Sequence, residues 1–92
     1  MTPDETNCFI LLDDYARTRH KCSLTEFFLN TIQTDYVLCF RPAVGSKDSP
    51  DRYVCRYLYI APDLVRMVGQ NKSLPERITD LLDRELPEVA ES

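Results

Sequence analysis

Three times in 92 residues a hydroxyl side chain stands three positions ahead of a glutamate: Thr2-Pro3-Asp4-Glu5, Ser23-Leu24-Thr25-Glu26 and Ser73-Leu74-Pro75-Glu76. In a capping box the hydroxyl accepts from the third helical N–H while the glutamate reaches back to the N–H of the cap, so each pattern marks a helix start. Pro3 falls at the first helical position, where a missing N–H costs nothing. Ala61-Pro62-Asp63 is a fourth start, with proline at the same position and an acid near the positive end of the helix dipole. Four helices are predicted from these signals.

Apolar spacing extends each of them. After Ser23 the residues Leu24, Phe27, Phe28 and Ile32 recur at helical intervals, which predicts a helix ending near Thr34. Leu74, Ile78, Leu81, Leu82 and Leu86 form a second stripe, stopped by Pro87. The helix from Pro62 is expected to make two turns to Val68 and to close on Gly69 as its left-handed residue. The first is expected from Pro3 to about Arg17, with Cys8, Leu11, Leu12 and Tyr15 inward. The run Cys8 to Leu12 also suits a short buried strand, but the capping box and the proline both favour helix.

Between the helices, Tyr36–Arg41 and Arg52–Ile60 are rich in β-branched and aromatic residues and flank the polar stretch Gly45–Asp51, the pattern of a β-hairpin. Polarity argues for a register in which Phe40 faces Cys55, Leu38 faces Tyr57 and Tyr36 faces Tyr59. These six uncharged residues then share one side. Arg41, Arg52 and Arg56 fall on the other, among Val37, Cys39, Val54, Leu58 and Ile60. A neighbouring register places Arg56 among Tyr36, Leu38 and Phe40, and burying an unpaired guanidinium costs on the order of several kcal/mol. The preferred register also separates Cys39 from Cys55, which excludes a disulfide between them. The expected fold is a single two-layer α+β domain over residues 1–92. Its helices pack on one face of a central antiparallel β-hairpin, in the order α-α-β-β-α-α.

Composition bounds the function. The chain carries a net charge of −4, and the stretch from Glu76 onward, with six acids against two arginines, accounts for all of it. That balance argues against a duplex-binding protein held mainly by counterion release. The longest apolar run, Cys8 to Leu12, is too short for a membrane span or a signal-peptide core, so a cytoplasmic protein with four reduced cysteines is expected. Cys8, Cys22, Cys39 and Cys55 contain no Cys-x-x-Cys pair, which argues against a zinc site or a thioredoxin-type centre. With only Gly45 and Gly69 there is no phosphate-cradling loop. His20, the sole histidine, sits in Arg17-Thr18-Arg19-His20-Lys21 and reads as a solvated connector rather than a base for Cys22 or Cys8. Adjacent Asp13 and Asp14 would diverge by about 100° on a helix and share no target. No enzyme, cofactor or metal is expected.

What remains is binding. The sequence reads as a small acidic protein–protein interaction module, a regulator, adaptor or inhibitor of a larger protein, by analogy with small phage-encoded inhibitors. Arg41, Arg52, Arg56 and Leu58 would form its strand surface, joined by Lys47 from the loop. Two other readings use the same region. One is a nucleic-acid binder that adds Arg17, Arg19 and Lys21, with Tyr53, Tyr57 and Tyr59 as stacking platforms if the tyrosine face is exposed. The other is a homodimer sealed through the arginine-bearing face. That face would instead be covered within the chain if the N-terminal segment lay on it with Asp13, Asp14 or Asp35 pairing the arginines.

Overall fold

The first capping box forms as written. A computed structural model describes residues 1–42 and 56–86 of the chain, and in it Thr2 caps helix α1 (Pro3–His20). The Glu5 N–H donates to Thr2 Oγ1 at 3.2 Å, and the Thr2 N–H donates to Glu5 Oε1 at 2.8 Å. The helix passes the expected end at Arg17 and closes on Lys21, which is left-handed (φ 52°) and donates its N–H to the Ala16 carbonyl. Its buried residues recur every fourth position: Cys8, Leu12, Ala16 and His20. Leu11 and Tyr15, expected inward, flank this row and are only partly buried.

The second box does not form. Ser23–Glu26 lies in a strand, β1 (Cys22–Asn30), and the element order is α-β-β-β-α-α rather than α-α-β-β-α-α. Strand β1 pairs antiparallel with β2 (Asp35–Pro42), which pairs antiparallel with β3 (Arg56–Ile60), in the spatial order β1-β2-β3. The helical spacing has a local cause. Leu24 faces Phe40 while Glu26 faces Cys39, so Thr25 is one surplus residue. Such a β-bulge puts Leu24 and Phe27, three apart, on one face of the sheet and imitates a helical turn. Thr25 Oγ1 donates to the Cys39 carbonyl at 3.1 Å across the irregularity. The connection to β2 is tight: Asn30 accepts the Thr34 N–H on its carbonyl (2.7 Å) and the Ile32 N–H on Oδ1 (3.0 Å).

The β2–β3 register differs by one residue from the expected one. Tyr36 faces Ile60, Leu38 faces Leu58 and Phe40 faces Arg56, while Val37 faces Tyr59 and Cys39 faces Tyr57. A one-residue slip exchanges the two faces of a strand. Leu58 and Ile60 therefore join Tyr36, Leu38 and Phe40 in the core, and the two tyrosines of β3 turn the other way. Arg56 avoids the anticipated desolvation cost because its side chain stays exposed. The pairing expected for Cys55 and the loop 44–51 lie outside the described residues. Cys39 is disulfide-bonded, so the expectation of four thiols fails there. The exclusion of a Cys39–Cys55 link falls with the register on which it rested. Cys8 and Cys22 are buried free thiols.

Helix α2 (Pro62–Asn71) starts at Ala61-Pro62 as expected but runs through Gly69 to a left-handed Lys72 (φ 55°). Gly69 is not the stop. It is the point where α2 touches the first turn of α1, so close that a Cβ there would lie 2.3 Å from the Asp4 carbonyl oxygen. Asn7 Nδ2 donates to the Gly69 carbonyl at the same crossing, at 3.2 Å. Helix α3 (Glu76–Glu85) has Pro75 as its N-cap with no side-chain cap, so the third box is also absent; Ile78, Leu82 and Leu86 are buried. One cluster unites Cys8, Leu12 and Ala16 of α1 with Val65, Val68, Ile78 and Leu82 of the later helices and with Leu24, Leu38, Phe40, Leu58 and Ile60 of the sheet. The fold is α+β, with the helices gathered on one side of a small antiparallel sheet. No helix among the described residues is long and apolar enough to cross a membrane.

Candidate functional site

Alternation along the strands builds the second face of the sheet. Directly opposed residues point to the same side, so the register places Phe28, Val37 and Tyr59 in one transverse row and Glu26, Cys39 and Tyr57 in the next. Asp35 and Arg41 lie on the same side at the two ends of β2. Rows are separated by about 7 Å along the strands, and neighbouring strands by about 5 Å. In the centre Val37 (5% exposed) and Cys39 are buried, yet neither belongs to the helix-side cluster. On the flanking strands three rings stand half in water: Phe28 at 48%, Tyr57 at 51% and Tyr59 at 55%. Among the described residues neither Asp35 nor Arg41 makes an ion pair.

The residues singled out from sequence are dispersed by this geometry. Arg41 is exposed on the aromatic face, whereas Arg56, opposite Phe40, projects on the helix side. Leu58, expected to contact a partner, is a core residue at 7% exposure. Lys47, Arg52 and Tyr53 lie outside the described residues. Arg41, Arg56 and Leu58 thus share no surface. Phe28, Tyr57 and Tyr59 take their place. The signal for the two tyrosines is present in Arg56-Tyr57-Leu58-Tyr59-Ile60, where aliphatic residues alternate with tyrosines and the more apolar set goes inward.

A second constellation ties the end of α1 to α3. His20 Nε2 lies 2.8 Å from Asp83 Oδ1, and the Tyr15 hydroxyl donates to both Asp83 oxygens, at 2.8 and 2.9 Å. The Arg19 guanidinium lies over the Tyr15 ring, 5.5 Å from its centroid. The Tyr15 hydroxyl, and after it His20, holds the Asp83 carboxyl below the ordinary carboxylate range. Burial, reinforced by the bond to Asp83, raises the Tyr15 phenol. His20 is therefore a buried, partnered residue and not the solvated connector expected. Cys22 does not complete a nucleophile–base pair, because its thiol points to the His20 carbonyl at 3.3 Å rather than to the ring. Burial raises the Cys22 thiol and pushes the Cys8 thiol up to about 12, the opposite of what an attacking thiolate requires.

Asp13 and Glu5 do similar positioning work. Asp13 pairs with Arg17 (2.8 Å) and accepts the Leu24 N–H of β1 (2.9 Å), so it is not available to the strand arginines. Glu5 accepts the Tyr36 hydroxyl at 2.6 Å on the oxygen not used in the capping box. That bond is the main reason its carboxyl sits below the ordinary range, and it also drives the Tyr36 phenol up to about 12. A cleft of about 250 Å³ beside this pair is lined by Asp4 and Glu5 at the start of α1 and by Pro62 and Arg66 of α2. No group of three or more metal-ligating side chains occurs among the described residues. Comparison with protein-family models, with curated proteins and with solved structures finds no match for the chain.

Proposed function

We propose that the protein acts by protein–protein contact, as a regulator, adaptor or inhibitor, and that the face of its sheet turned away from helices α1–α3 is the docking surface. The observation that carries this reading is the trio Phe28, Tyr57 and Tyr59, half-exposed around buried Val37 and Cys39. Tyrosine and phenylalanine are enriched at the centres of protein interfaces because each offers a large apolar area with few rotors to immobilise. The residues engaged are Phe28, Arg41, Tyr57 and Tyr59; Leu58 and Arg56 have no part in that surface.

A photo-reactive phenylalanine analogue tests the reading when placed singly at Tyr59, at Phe28 and, on the helical side, at exposed Arg66. Cross-links to protein are expected from Tyr59 and Phe28 and not from Arg66. Equal yields from all three positions, or none from the sheet, would refute it.

The exposure of Tyr57 and Tyr59 also favours a second reading, a single-stranded nucleic-acid platform on which bases stack. Its weakness is charge. Arg17 and Arg19 lie in the last turn of α1, in the helical layer, with Arg17 engaged by Asp13 and Arg19 by the Tyr15 ring. Only Arg41 is basic on the tyrosine face among the described residues, against Glu26 and Asp35. Binding to oligonucleotides that falls steeply with salt would favour this reading over the first.

A further inference from the structure

Read along the face turned away from the helices, β2 presents Asp35, Val37, disulfide-bonded Cys39 and Arg41: an acid, two buried residues and a base, evenly spaced. Reversed end for end, the same strand sets base against acid. This face is self-complementary, which is the condition a twofold interface imposes on a surface that must recognise itself.

We propose that the occupant of this face is a second copy of this chain, related by a twofold axis running across the strands between the Val37 and Cys39 rows. The inference rests on the reading of that face as a docking surface and names its partner. Under this rotation Arg41 of each copy lies over Asp35 of the other, and the Tyr57 and Tyr59 positions exchange. Two sheets packed about 10 Å apart then enclose six aromatic rings. The same rotation sets Glu26 of each copy over Phe28 of the other, on the edge strand, where the exposed carboxylate reaches water at the rim. The two charges suit the role because neither has an ion pair among the described residues. A nucleic-acid occupant would instead meet, among the described residues, two acids for one arginine on the face.

Sedimentation equilibrium of the full chain over about 1–100 µM is expected to show the mass rising from 10.7 kDa toward twice that value. Asp35→Arg and Arg41→Asp alone should each weaken self-association by at least about tenfold, because like charges then oppose at both ends of the interface. Mixing the two variants should restore it, since one then carries arginine at both positions and the other aspartate. Far-ultraviolet dichroism checks the fold of each. Where a reversal unfolds the chain, Asp35→Asn and Arg41→Gln take its place, with a loss of about threefold expected for each.

A wild-type chain that stays at 10.7 kDa throughout overturns the inference. It leaves the docking reading to the cross-linking experiment, where Tyr59 and Phe28 would then capture a different protein. A dimer indifferent to both substitutions and to their mixing also overturns it, because the contact then lies elsewhere.

Discussion

Replacing Gly69 by alanine sets two effects of opposite sign against each other. In an exposed helix interior the change is stabilising by about 1 kcal/mol, because alanine loses less conformational entropy than glycine. At this position the new methyl group would meet the main chain of Asp4, with its O, Cα and C atoms at 2.3, 2.6 and 2.7 Å. Ordinary carbon contacts lie at about 3.5–4 Å, so α1 and α2 must part by roughly 1 Å. No rotamer change relieves the clash, since every atom met is backbone. The separation also stretches the bonds from Asn7 to the Gly69 carbonyl and from Gln70 to Asp4. Overpacking of this kind costs up to about 3 kcal/mol. Less the helix-propensity gain, a net loss of about 2 kcal/mol is expected. In a domain of this size that lowers the melting temperature by roughly 10 °C or more. Thermal unfolding followed by circular dichroism reads the sign directly. An unchanged or higher melting temperature for Gly69→Ala would mean that propensity prevails and that the two helices do not meet here.

Three further outcomes follow from named contacts. Asp83→Asn removes the carboxylate that joins Tyr15 and His20, and its effect should depend on pH. The folded protein holds Asp83 below its ordinary value, so the stabilisation is present above about pH 4 and is lost as pH falls through the lowered value. Urea unfolding should therefore show the wild type and the variant converging in strong acid; a constant gap would contradict the coupling. Tyr36→Phe should cost about 1.5 kcal/mol for the lost bond to Glu5 and should abolish a phenol titrating at about 12 in the absorbance at 295 nm. Because that phenol is raised above its ordinary value near 10 and the same bond lowers the Glu5 carboxyl, the wild type's advantage is full between about pH 5 and pH 10, fading as pH rises toward 12 and again as it falls through the lowered Glu5 value. Lys72→Gly should stabilise by about 0.5–1 kcal/mol, since the left-handed cap of α2 penalises any side chain with a Cβ. A lower melting temperature would count against the cap geometry.

The sequence carried the start of α1 almost atom by atom, because Thr2, Pro3 and Glu5 interact only with one another and with their own backbone. It was misleading at Ser23, where the same spelling lies in a strand. A surplus Thr25 shifts the period of two to an interval of three, and the long-range pairing with β2 outweighs the local start signal. The assignment of Tyr36, Leu38 and Phe40 to the core is correct, but the facing strand was inverted by treating Arg56 as a residue that would be desolvated beside Phe40. Its side chain stays exposed although it pairs opposite buried Phe40, so the polarity rule loses its force there. Gly69 resembles a helix terminator in one dimension. Only the crossing with α1 shows that it is a contact point. The clasp at His20 was legible in part, since Cys8, Leu12, Ala16 and His20 keep a strict four-residue interval, but nothing local points to Asp83, 63 residues away.

The extra residue in β1 leaves the strand with one place where it tolerates shortening. Deleting Thr25 would let Glu26 follow Leu24 in an unbroken ladder, with Phe27 still inward and Phe28 still outward. Deleting a residue farther along, between Phe28 and Asn30, would force the chain either to tear the turn at Asn30 or to carry every side chain beyond the cut through the sheet. Length variants of this protein that keep its fold should accordingly lose their residue at position 25 and nowhere else in that strand.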